Sequence, residues 1–222
     1  MSNDTSASEA RAARLLTESA AIVERSLVYM PGDAFWEQRY AERARRFAHE
    51  DGAFHVRYLA DAVRASSPTV MAEYARWLRD LLVPRGMCTL HLAEHLEHVG
   101  SAVVDCLGEG QESSYIQGAV DALRYDASAP RAIQEAAPAL DDHLKAVTPR
   151  LAARHSAFET RYLCHYAADA LQRGTPALLA SHVEWSRSVR AASGIDSVEH
   201  EAWLIAVRDA LQPAGLPPAY LQ

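Results

Sequence analysis

"RRFAHEDGAFHVRYLADAV", residues 45–63, is the stretch on which the fold turns. At helical spacing Phe47, Phe54, Tyr58, Leu59 and Ala62 share one side, the pattern of a core-facing stripe. Asp51 and His55 fall in the middle of that side, one turn apart, where a plain core would carry leucine. Burying a carboxylate or an imidazolium without partners costs several kcal/mol. An inward acid and base therefore either answer each other or answer a ligand.

Outward from this helix the chain reads as helical almost throughout. Alanine, leucine, arginine and glutamate dominate, and no sustained period-two run of β-branched residues occurs. A disordered start over 1–7 is expected to lead into a helix over about 8–29, ended at Pro31 and Gly32, with Asp33 capping the next. Ser67 and Pro68 read as an N-cap followed by proline at the first helical position, and Pro84 and Gly86 stop that helix. Thr89 opens "LHLAEHLEHVGSAVVDCL", a helix follows over 112–125, and further helices run from Arg131 to the proline-rich tail 212–222. The expectation is one all-α domain over 8–211.

The chain also repeats. "RFAHEDGAFHVRYL" (46–59) aligns without a gap to "RLAARHSAFETRYL" (150–163), and 60–87 aligns to 168–195, pairing Pro68 with Pro176, Trp77 with Trp185 and Gly86 with Gly194. Between the blocks the second copy carries four extra residues, "CHYA", close to one helical turn. In this register Asp51 pairs with His155 and His55 with Glu159, so both copies place an acid and a base one turn apart. The architecture expected is a helical bundle built from a duplicated unit (about 46–87 and 150–195).

Two kinds of ligand suit those pairs. A polar ligand in an otherwise apolar site would find aromatic walls in Tyr58, Tyr74 and Trp77 of the first copy and Tyr162, His182 and Trp185 of the second, although for Trp77 and Trp185 core packing is the better reading. Alternatively Asp51, His55, His155 and Glu159 would feed a helical iron or manganese site, but no inward Glu-x-x-His pair of the di-iron type is present. "HLAEHLEH" holds His91 and His95 at chelating spacing, yet the stripe Leu92, Leu96, Val99, Val103 and Leu107 leaves His91, Glu94 and His98 solvated and His95 at the border. A third reading is a ligand-free interaction module whose polar pairs are structural.

Other classes find no footing. The net charge of -7 comes without a clustered basic excess, which argues against nucleic acid. Three cysteines at no metal-type spacing read as reduced thiols of a cytoplasmic protein. The polar N-terminus is no targeting signal, and no apolar run reaches the length of a membrane span. No nucleophile elbow, phosphate-binding glycine loop or dinucleotide fingerprint occurs, Cys88 before a helix start is not otherwise marked as reactive, and no catalytic residue is assigned.

With "ERARRFAHEDGAFHVRYLADAV" and "MAEYARWLRDLLVPRGM" in view, residues 36–87 resemble globin-like helical units of bacterial bilin photoreceptors, the biliverdin-binding dimerised globins and the bilin domains fused to cobalamin-binding domains; 150–195 is a fainter echo. The resemblance implies a globin-like fold, a bilin such as biliverdin as ligand, light sensing through helix rearrangement, and a separate effector protein, with a homodimer left open. Asp51 would be counter-ion to ring N–H groups and His55 a donor to an end carbonyl or propionate. Tyr58, Tyr74 and Trp77 would be stacking walls, and Arg57 or Arg76 would pair with propionates. The family pattern carries a cysteine where this chain has Ala48, so a bilin would here rest on shape and hydrogen bonds without a thioether.

Overall fold

The computed structural model describes residues 2–29, 39–40, 43–147, 157–192 and 194–221. Among them are eleven α-helices and no strand, as the all-α reading requires. They are α1 (Ser2–Thr17), α2 (Ser19–Val28), α3 (Arg43–Arg64), α4 (Pro68–Leu82), α5 (Thr89–Leu107), α6 (Glu112–Asp121), α7 (Ser128–Glu135), α8 (Ala137–Val147), α9 (Ala157–Arg173), α10 (Pro176–Ala192) and α11 (Ser197–Leu211), with 3-10 turns at Val83–Arg85 and Pro218–Leu221. None of them is long and apolar enough to cross a membrane.

Several boundaries follow from local chemistry. Pro68 and Pro176 open α4 and α10, where the missing N–H costs nothing. Gly86 (φ 93) and Gly194 (φ 78) both sit in the left-handed region that ends a helix, at aligned positions of the two repeat copies. The expected breaks at Pro31, Gly32, Asp33 and Pro149 lie outside the described residues. α1 starts at Ser2, six residues before the sequence reading placed it, and α6 ends at Asp121 rather than 125. The tail forms a 3-10 turn against α10, with Leu216 and Leu221 buried.

The chain divides into two compact units: Met1–Leu81 with His91–Arg124, and Leu82–Leu90 with Tyr125–Gln222. Of the two aligned segments, 46–81 falls in the first unit, and 82–87 and 150–195 in the second. In the first, α3 packs on α1, α2 and α6. The face it buries is Ala48, Gly52, His55, Val56, Leu59, Ala60, Ala62 and Val63. This corrects the expected stripe: Phe54 is 54% exposed and Phe47 half-buried. Small residues win the interior because they let helices approach closely; a Cβ on Gly52 would stand 3.3 Å from the Val23 side chain, and one on Gly100 3.0 Å from Ile116.

A partly buried ion pair ties α1 to the junction of α5 and α6. Arg11 on α1 donates to Leu107 O (3.0 Å) and Gly108 O (2.8 Å), carbonyls orphaned at the end of α5, and to the buried Glu112 carboxylate opening α6 (2.5 Å). Glu112 also sits at a helix N-terminus, where the backbone dipole favours negative charge.

In the second unit α9 is central, packed on α7, α8 and α10. Every residue from Tyr162 to Ala170 is buried, so the helix has no solvent face over that length. Its polar members are answered. Asp169 accepts from Thr89 N (2.8 Å) and Thr89 Oγ1 (2.6 Å), His165 faces the Tyr125 hydroxyl at 3.3 Å, and the Tyr166 hydroxyl donates to Gly86 O at 2.7 Å. Asp169 therefore supplies the start of α5, where Thr89 alone was expected to serve.

Candidate functional site

The residues singled out on α3 and α4 do come together in the first unit. His55 is 1% exposed, and its Nδ1 shares a 2.8 Å hydrogen bond with the Tyr74 hydroxyl. Tyr74 stacks on Tyr58 at 3.9 Å between ring centroids and 15° between planes, and on Trp77 at 6.1 Å. Tyr58 is half-buried and Trp77 54% exposed, so the aromatic row runs from the interior to the surface. Arg57 and Arg76 are exposed.

Asp51 begins the same flank of α3, one turn before His55. It is half-buried, and among the described residues nothing donates a hydrogen bond to it and no cation pairs with it. Burial, and then the neighbouring Glu50 carboxylate, push its carboxyl up to about 6. Burial, helped by Asp51 and Tyr58, holds the Tyr74 phenol far above its usual range, so it stays a neutral donor. The inward pair is thus real in part: the imidazole faces the core, while the carboxylate stands at its edge and is not the partner of His55.

Behind His55 lies a second imidazole that the sequence reading placed at the border. His95 is 8% exposed, 4.7 Å ring to ring from His55, and His91 is 5% exposed. The interior of α5 is wider than its leucine and valine stripe because Leu90, His91 and His95 are covered too. Burial, and then His95, hold His55 well below its ordinary value; burial, and then His98, bring His95 to about 4. Both are neutral at pH 7, and Nε2 of each is buried with no hydrogen-bond partner among the described residues.

The second unit repeats the aromatic row in a shifted register. Tyr166 stacks on His182 at 4.1 Å and 11°, and His182 on Trp185 at 5.6 Å. Its rows match those of the first unit only if the 108-residue offset that pairs 60 with 168 is carried back through α3. Tyr58 then corresponds to Tyr166, Asp51 to Glu159 and His55 to Leu163. Tyr162, expected as the wall residue, is fully buried. The pairing of Asp51 with His155 falls on a residue outside the described ones; four extra residues nearly complete a turn, so both registers present similar faces and the sequence alone does not separate them.

Glu159 is half-buried, and burial raises its carboxyl against the opposing pull of Arg190, whose Nη2 lies 3.9 Å from Oε2. His155, the remaining member of the expected metal set, lies outside the described residues, and among those described no three His, Cys, Asp or Glu side chains are placed to hold one ion. Burial pushes the Cys164 thiol up to about 12, and exposed Cys106 is raised by burial of its sulfur and by Asp105; Cys88 is buried. Sequence reasoning missed Arg190, because an arginine near a helix end reads as solvated. No protein-family model matches the chain, and no curated protein or solved structure is significantly similar to it.

Proposed function

We propose that the chain is a helical ligand-binding sensor, built from a duplicated globin-like unit, whose first copy takes a flat conjugated ligand, a linear tetrapyrrole such as biliverdin, along the flank of α3 and α4. The observation that carries this reading is Asp51: a carboxylate partly withdrawn from water, with no cation or donor of the chain's own among the described residues, at the head of the row Tyr58, Tyr74, Trp77. Ring N–H groups of a bilin supply the missing donors, and partial desolvation strengthens those bonds. Trp77 and Phe54 are exposed and offer apolar faces, and the exposed Arg57 and Arg76 offer the charges that suit propionates. A signal from such a site passes to a separate effector protein.

Mixing the purified chain with biliverdin is expected to give a red-shifted, structured absorption band that Asp51→Asn alters. A spectrum identical to that of free bilin in both proteins overturns the proposal.

A further inference from the structure

In the second unit the acid Glu159 faces a cation of the chain's own, at ion-pair distance and without a hydrogen bond to Oε2. Arg190 on α10 is 6% exposed, with its guanidinium 3.6 Å over the ring of Trp203 on α11. Nη1 donates to His200 Nδ1 at 3.2 Å, and Nη2 faces Glu159 at 3.9 Å. A withdrawn guanidinium is tolerated when its plane and its charge are both met, here by an indole face and a carboxylate. The first unit has the corresponding acid, Asp51, and the corresponding aromatic row. Among the described residues it has no cation of its own on that acid, and the aligned sequence carries Leu82 where Arg190 stands.

We infer that Arg190 is a built-in stand-in for the group that the first unit takes from solution: a planar, positively charged, N–H-bearing group set against Asp51, one per chain. The inference rests on the proposed site at Asp51 and adds the chemical class and the stoichiometry of what it holds. A planar cation satisfies a carboxylate through two parallel N–H bonds while its faces lie on aromatic rings, which a spherical ammonium does less well. The same group occurs in a small amidinium and in a bilin protonated at its ring nitrogens, so two probes are needed.

The first is benzamidinium chloride, titrated into the full chain with the tryptophan indole N–H signals followed by NMR. The wild type is expected to show a saturable shift at Trp77 and none at Trp203. Asp51→Asn is expected to bind about tenfold more weakly, the scale of a single charge-assisted hydrogen bond. Arg190→Ala, where it folds, is expected to gain a second saturable shift at Trp203. No saturable shift at Trp77, equal shifts at both indoles in the wild type, or unchanged affinity in Asp51→Asn overturns the inference, and none of these depends on the Arg190 variant. Biliverdin is the second probe. A bilin band that Asp51→Asn leaves unchanged overturns the inference while bilin binding stands, whereas benzamidinium saturation with no bilin band supports it and removes the tetrapyrrole.

Discussion

At the scale of single residues, the chemistry of the first unit depends on which polar atoms the protein itself answers. Tyr74→Phe keeps the ring stack with Tyr58 but strips His55 Nδ1 of its 2.8 Å partner in a buried place. The expected loss is about 1–3 kcal/mol in the urea unfolding free energy, the cost of one orphaned buried group. Asp51 behaves differently because its shift comes from burial and a like charge, with no donor set against it. Its folded pKa of about 6 lies above the ordinary carboxylate value, so the folded chain holds the extra proton, and stability falls as pH rises from the unfolded value through about 6. Glu50 on its own helix reinforces the shift, and the Tyr74 phenol across from it stays neutral. A cation on Asp51 reverses the preference. Benzamidinium affinity is therefore expected to rise with pH up to roughly one unit above the Asp51 midpoint and then level off, as a titration at several pH values would show.

At the scale of elements, helix ends and helix contacts make the sharper forecasts. Arg11→Ala uncovers the buried Glu112 carboxylate and the Leu107 and Gly108 carbonyls together. It is expected to cost about 3 kcal/mol or more, read from denaturant midpoints. Gly118→Ala meets open space within α6 and is expected to stabilise by about 0.5–1 kcal/mol, whereas the same change at Gly100 drives a methyl to 3.0 Å from Ile116 and loses that gain. Element by element, the sequence was legible where the backbone itself is constrained: Pro68, Gly86, Pro176 and Gly194 mark real starts and stops. It was misleading where side-chain size competes with polarity. Phe54 looked inward because it is large and apolar, yet Ala48 and Gly52 take the interior because α2 comes too close for a ring. His91 looked solvated and His95 marginal because both lie off the leucine and valine stripe, yet both are buried, and His95 packs edge-on against His55. Arg190 and Arg11 were illegible, since their partners lie far along the chain.

At the scale of the whole molecule, buried histidines set the response to acid. His55, His95, His98, His165 and His200 are all held below their ordinary value, chiefly by burial. Each is neutral when folded and takes a proton on unfolding, so stability is full above the unfolded value of about 6.5 and drains as pH falls toward the folded values. For His95, at about 4 in the fold, the integrated loss is about 3 kcal/mol. Asp51 and Glu159 pull the other way but are fewer and only half-buried. Thermal midpoints are expected to drop steeply between about pH 6.5 and 4 with net proton uptake on unfolding; a flat profile there would contradict these burial assignments. The two units also report separately. Cys88 and Cys164 belong to the second, Cys164 in the fully enclosed stretch of α9, while Cys106 lies on the surface of the first. A thiol-reactive dye added to native protein should therefore label one site promptly. The other two react only on the rare occasions when the second unit opens, which turns the slow labelling phase into a stopwatch for that half of the chain alone.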